Sequence, residues 1–100
     1  MIYVNISPNK LSVKGHSGYA DHGNDIVCAG VSALTQAAIL GFRHYDVDMD
    51  VSMLHGEITV QINKEEDVVK PIFTAMLAGL EEIAKQYPQN VTVKGGINDA

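Results

Sequence analysis

From Ile26 to Phe42 the chain carries no charged side chain. Val27, Val31, Leu34, Ala38 and Phe42 recur at three-to-four spacing within that run, the period of a helix with one apolar face. The spacing predicts a helix from about Asp25 to Phe42 or Tyr45. Ala29, Gly30, Ala33, Ala37, Ala38 and Gly41 add small side chains, which permit close packing against a sheet or another helix. A helix with no charge to turn toward water is expected to be largely buried, by its own sheet and in part by a second subunit. Arg43 and His44 at its end suit the negative pole of the helix dipole.

The flanking sequence supplies that sheet. Ile2, Val4 and Ile6 alternate with Tyr3, Asn5 and Ser7, as a half-buried strand does. Pro8-Asn9-Lys10 is a turn, and Leu11 to Gly15 is a second strand. After the helix, Asp46 to Val51 alternates acid and apolar residues. This predicts a strand with Val47, Met49 and Val51 inward and three aspartates outward. Those aspartates read as a solvated, edge-protecting face, with cation or basic-peptide binding as the alternative. His55-Gly56 forms an exposed turn, and Glu57 to Ile62 is the next strand. A second helix begins near Asp67, with Pro71 in its first turn. Val69, Ile72, Phe73, Met76, Leu80, Ile83, Ala84 and Tyr87 make its stripe, and Pro88 ends it. Val91 to Lys94 is a last strand, and Gly95 to Ala100 a polar tail. The order β-β-α-β-β-α-β predicts one α+β domain over residues 1–100, a five-stranded sheet covered by two helices.

The only cysteine, Cys28, falls at the start of the first helix. Asn24 or Asp25 is its N-cap candidate. Backbone N–H groups and the positive end of the dipole gather there, favouring a thiolate and offering donors for an oxyanion. Asp25, Cys28 and Ser32, three and four apart, share one helix face. His16 ends the second strand twelve residues upstream, where a turn can fold it over the helix start. Ser17 to Gly23, bounded by Gly18 and Gly23, reads as a polar loop that closes over a cleft. The competing reading is plain: a lone cysteine in a small domain is most often a buried hydrophobe. Four histidines and one cysteine show no HxxxH or CxxC pair, so no metal site is expected.

The wording of this stretch separates the two. Gly15-His16-Ser17, Tyr19-Ala20, Gly23, Asp25-Ile26-Val27-Cys28-Ala29-Gly30-Val31-Ser32 resembles the signature of the bacterial ribosomal-processing cysteine protease family. Ser17 and Gly30 each stand where that family commonly has alanine. The resemblance implies Cys28 as nucleophile, His16 as its partner, and supporting positions at Asp25, Ser32 and Gly15. His22 lies at a variable position and takes no role. Ser17, Gly18, Tyr19 and Gly23 would border the substrate. The implied activity is removal of a short N-terminal extension from a large-subunit ribosomal protein, with no cofactor, by a homodimer. A phage capsid-processing protease is a variant of this reading. A non-catalytic module that grips a ribosomal protein tail is the rival.

Composition narrows the setting. A net charge of −5 argues against a nucleic-acid surface and suits a basic protein tail as partner. One cysteine cannot form an internal disulfide, which fits a reducing cytoplasm. No apolar run of eighteen or more predicts a membrane span, and the N-terminus lacks the pattern of a signal peptide.

Overall fold

The computed structural model describes residues 1–21, 23 and 25–98. Strand β1 (Ile2–Ser7) and β2 (Lys10–Gly15) form the first hairpin, and helix α1 (Ile26–His44) follows. Strands β3 (Met49–Leu54) and β4 (Glu57–Ile62) form the second hairpin, followed by α2 (Val69–Gln86) and β5 (Val91–Gly95). The element order is the expected one. The five strands lie in the order β3-β4-β2-β1-β5. All neighbours are antiparallel except β1 and β5, so the sheet is mixed.

Alternation decides which face is covered. Ile2, Val4, Ile6, Leu11, Val13, Val60, Ile62 and Val91 are buried. They pack in one core cluster with Val27, Val31, Ala38, Ile39 and Phe42 of α1 and Val69, Phe73, Met76, Leu77 and Leu80 of α2. The two helices meet where Phe42 and Phe73 stand edge to face, ring centres 5.1 Å apart, a favoured aromatic geometry. Glycines let the helices approach: Gly30 faces Ile83, Gly41 faces Ile72, and Gly79 faces Leu34.

Several expectations shift. α1 runs to His44, and Asp46 takes a left-handed turn at φ 54°, so β3 starts at Met49 rather than Asp46. Asp48 and Asp50 are bridged by the Asn63 amide, which donates to both at 3.1 Å. α2 starts at Val69, with Pro71 third in the helix. The tail after Gly95 is not wholly polar, because Ile97 is buried in the core.

In the single chain, α1 is buried along one face and open along another. Its inner face, made of Val27, Val31, Thr35, Ala38, Ile39 and Phe42, is buried. Ile26 and Leu40 are 60% and 62% exposed, and Ala29, Ala33 and Ala37 are exposed beside them. The helix is also long and apolar enough to cross a membrane, with mean hydropathy 1.5. Ser32, Thr35 and Gln36 break its apolar run without adding charge. Here the helix lies along the sheet and α2.

Candidate active site

The site is built where β2 ends and α1 begins. Gly15 closes β2 at φ +101°, and a Cβ there would collide with the Met1 carbonyl. Only glycine fits that close approach of β1 and β2. His16 follows at the end of the sheet's central strand. The Gly15 N–H donates to the Gly56 carbonyl at 2.8 Å, which seats the β3–β4 turn beside His16. A Cβ on Gly56 would lie 3.2 Å from His16 Nε2, so the imidazole rests on that glycine. The His55 ring stands 5.6 Å from the His16 ring, tilted by 50°.

Asp25 is the N-cap of α1. Its Oδ1 accepts from the Val27 and Cys28 N–H groups at 3.0 and 2.9 Å, the bond pattern that stabilises a first turn. Its Oδ2 accepts from the Ser17 hydroxyl and from the Ala20 N–H at 3.4 Å. Burial opposes the charge on this carboxylate. The hydrogen bonds from Ser17, Cys28 and Ala20 outweigh that and hold its pKa at about 2, below the ordinary 3.8. Asp25, one of the two N-cap candidates, spends its hydrogen bonds on the cap and the loop. The Val27 and Cys28 N–H groups, expected to face an oxyanion, are committed to this carboxylate.

Cys28 is half-buried and free. Its Sγ accepts from the Ser17 main-chain N–H at 3.3 Å. Ser17 is 2% exposed, so its side chain points inward to Asp25 while its neighbours reach the surface. Its hydroxyl also accepts from the Tyr19 N–H at 3.1 Å, and its carbonyl accepts from the Asn90 amide at 3.0 Å. Tyr19 stands edge to face with Tyr87, ring centres 5.3 Å apart, which anchors the loop to the end of α2.

His16, Gly18, Ala20, Gly23, Asp25, Cys28, Ala29, Ser32 and His55 line one open cleft of about 630 Å³. A smaller cavity adjoins it and shares His16, Cys28, Ser32 and His55. The structure thus brings together His16, Cys28, Asp25 and Ser32. It places Gly18 and Gly23, both at positive φ, on the cleft's rim. His22 and Asn24 lie outside the described residues. Two residues were not singled out from sequence, His55 as a cleft residue and Asn90. A histidine beside a turn glycine and an asparagine before a strand carry no local signal of a site. Among the described residues, no group of three or more His, Cys, Asp or Glu could hold a metal ion.

A thiol at a helix start and an imidazole line one open cleft, the side chains that cysteine hydrolases use. Residues 1–92 match the family model described as Cysteine protease Prp, and the chain belongs to that family. The ribosomal processing cysteine protease Prp of Mycoplasma genitalium is 30% identical over 93 residues, covering 93% of this chain and 94% of that protein. The Bacillus subtilis protein of the same name is 30% identical over 95 residues, covering 87% and 85%. The fold is also that of the Staphylococcus aureus Prp solved with a covalently linked product peptide. The TM-score is 0.87 at 23% identity, covering 98% of this chain and 100% of that one. The chain is accordingly a cysteine protease.

Proposed function

We propose that this protein is a cytoplasmic endopeptidase that removes a short N-terminal extension from a large-subunit ribosomal protein. The observation that carries the reading is the open cleft in which Cys28, at the start of α1, shares walls with His16 and Ser32. The relatives are called ribosomal processing proteases, which supports a ribosomal substrate. The S. aureus neighbour with its linked peptide is consistent with a peptide in the cleft.

In this reading the Cys28 thiolate attacks the scissile carbonyl carbon. His16 donates a proton to the leaving amine as the C–N bond breaks, leaving a thioester on Cys28. His16 then takes a proton from water, which attacks the thioester and frees the sulfur. Asp25 holds the first turn of α1 so that Cys28 faces the cleft. Ser32 supports the thiol one turn below, and Gly18, Tyr19 and Gly23 border the peptide with Ser17 behind them. The net charge of −5 suits a basic tail. No cofactor enters the chemistry. The exposed apolar strip on α1 supports a homodimer. The half-exposed thiol weighs against a non-catalytic module with a buried cysteine.

The test is incubation with the ribosomal protein precursor of the same organism, followed by intact-mass measurement. A single shortened product, formed by the wild type and not by Cys28→Ala, is expected. An uncut precursor would end the proposal.

A further inference from the structure

We infer that Asn90 is a positioning residue for Cys28: it fixes the main chain of Ser17 so that the Ser17 N–H donates to the reactive sulfur. The inference rests on the reading above only in taking Cys28 as the nucleophile.

The helix start does not account for the sulfur's environment alone. Two first-turn donors, the Val27 and Cys28 N–H groups, are occupied by Asp25 Oδ1. The main-chain donor that reaches Sγ comes from the other wall, at Ser17, at 3.3 Å. A donor aimed at sulfur favours the thiolate over the thiol, because the charged form accepts the stronger hydrogen bond. Its value depends on being held in place.

Three anchors hold Ser17, and each uses a different group. Its hydroxyl binds Asp25. Its N–H meets the sulfur. Its carbonyl receives the Asn90 amide at 3.0 Å. The carbonyl can only accept, so the Asn90 side chain must present Nδ2 to it. Asn90 is itself held at both ends of its backbone. Its N–H donates to the Tyr87 carbonyl at 2.9 Å, and its carbonyl accepts from the Ile2 N–H at 2.8 Å. Its main chain therefore ties the end of α2 to the start of β1, and its side chain carries that framework to residue 17. The peptide plane on the far side of the Ser17 Cα from the donor N–H is the one that Asn90 grips. Releasing it frees residue 17 to turn while the hydroxyl bond to Asp25 remains.

The experiment is alkylation of the chain's single cysteine by iodoacetamide, read by intact mass at pH 6 and pH 9, in wild type and Asn90→Ala. Loss of the grip is expected to slow the pH 6 reaction roughly tenfold, the size of one charge-assisted hydrogen bond. At pH 9, where a thiolate needs no such help, the rates should agree within about twofold. Cleavage should lose kcat with KM unchanged. A residue that only stabilises the fold would lower Tm and leave the ratio of the two alkylation rates as in wild type. That unchanged ratio, in a folded Asn90→Ala, overturns the inference. If the variant does not fold, the amide proton of Ser17 in the wild-type protein is followed by NMR across the same pH range. Its shift should track the alkylation rate, and a shift that stays constant overturns the inference. Alkylation needs no substrate, so its outcome is separate from whether Cys28→Ala abolishes cleavage.

Discussion

At the scale of single residues, Asp25 does the most structural work near the site. It caps α1, holds Ser17 and sets the first turn on which Cys28 sits. Its folded pKa of about 2 lies below the ordinary 3.8, so its ionised form favours the folded state. That stability is complete above about pH 4 and is lost as pH falls through about 2, on the order of 1–2 kcal/mol after allowing for partial exposure. Urea midpoints measured from pH 6 down to pH 2 should show this loss, and Asp25→Asn should flatten it. For the proposed chemistry, Cys28→Ala should abolish cleavage with the fold intact. Cys28→Ser should be nearly as inactive, because a hydroxyl ionises far less readily. His16→Ala should lose roughly 10²–10⁴-fold in single-turnover rate, the usual contribution of a positioned acid or base. His22→Ala should lose little, and the reverse ranking would reassign the role.

At the scale of elements, the loop between β2 and α1 divides into two parts. Ser17 is buried and held by Cys28, Asp25 and Asn90. Gly18, Ala20 and Asp21 are exposed, and Tyr19 is anchored on Tyr87 while 47% exposed. If this loop closes over a bound peptide, hydrogen exchange on its exposed amides should change when the peptide binds. The amides of residues 18–21 should gain protection only with an uncleavable peptide on Cys28→Ala. Equal protection in both states would show a rigid loop. Gly23 sits at φ +93°, and a Cβ added there would meet nothing within 4 Å. Gly23→Val should therefore act through backbone strain and reduce cleavage more than thermal stability. The helix pair is less forgiving. A Cβ on Gly79 would lie 2.8 Å from Leu34 Cδ1, so Gly79→Val should overpack the α1–α2 contact and cost roughly 1–3 kcal/mol in urea unfolding.

At the scale of the whole molecule, one surface is left uncovered. The sheet shields one side of α1, and the opposite strip from Ile26 through Ala29, Ala33 and Ala37 to Leu40 meets solvent in the single chain. Contiguous apolar surface of this kind marks an interaction site more often than a free face. We expect a second copy to cover it. Light scattering at micromolar concentration should then give about twice the 10.8 kDa chain mass. Leu40→Asp should shift the protein toward monomer, and a wild-type monomer under those conditions would count against the proposal. The strip runs from the cleft end of α1, beside Cys28, to the helix's far end. Dimerisation would therefore also steady the helix that carries the nucleophile.

What the sequence determined by itself was local. Alternation in β1 and β4, the α2 stripe and the helix-start motif at Asp25-Ile26-Val27-Cys28 were legible because each depends on residues within a turn or two. Gly15, His16, Cys28 and Ser32 became candidates through the resemblance of one contiguous stretch to a family signature, and the fold sets them around adjoining cavities. The tertiary structure decided what distant segments share. It paired β5 in parallel with β1, buried Ile97 in a tail that reads as polar, and left one strip of an uncharged helix exposed in the single chain. It also brought His55 beside His16 and carried Asn90 to Ser17, 73 residues away in sequence. It settled Asp25 as the helix cap, because the groups competing for its two oxygens come from both the loop and the helix. Such contacts depend on how the strands and helices pack over the whole chain, and no periodicity or spacing within a short window encodes them.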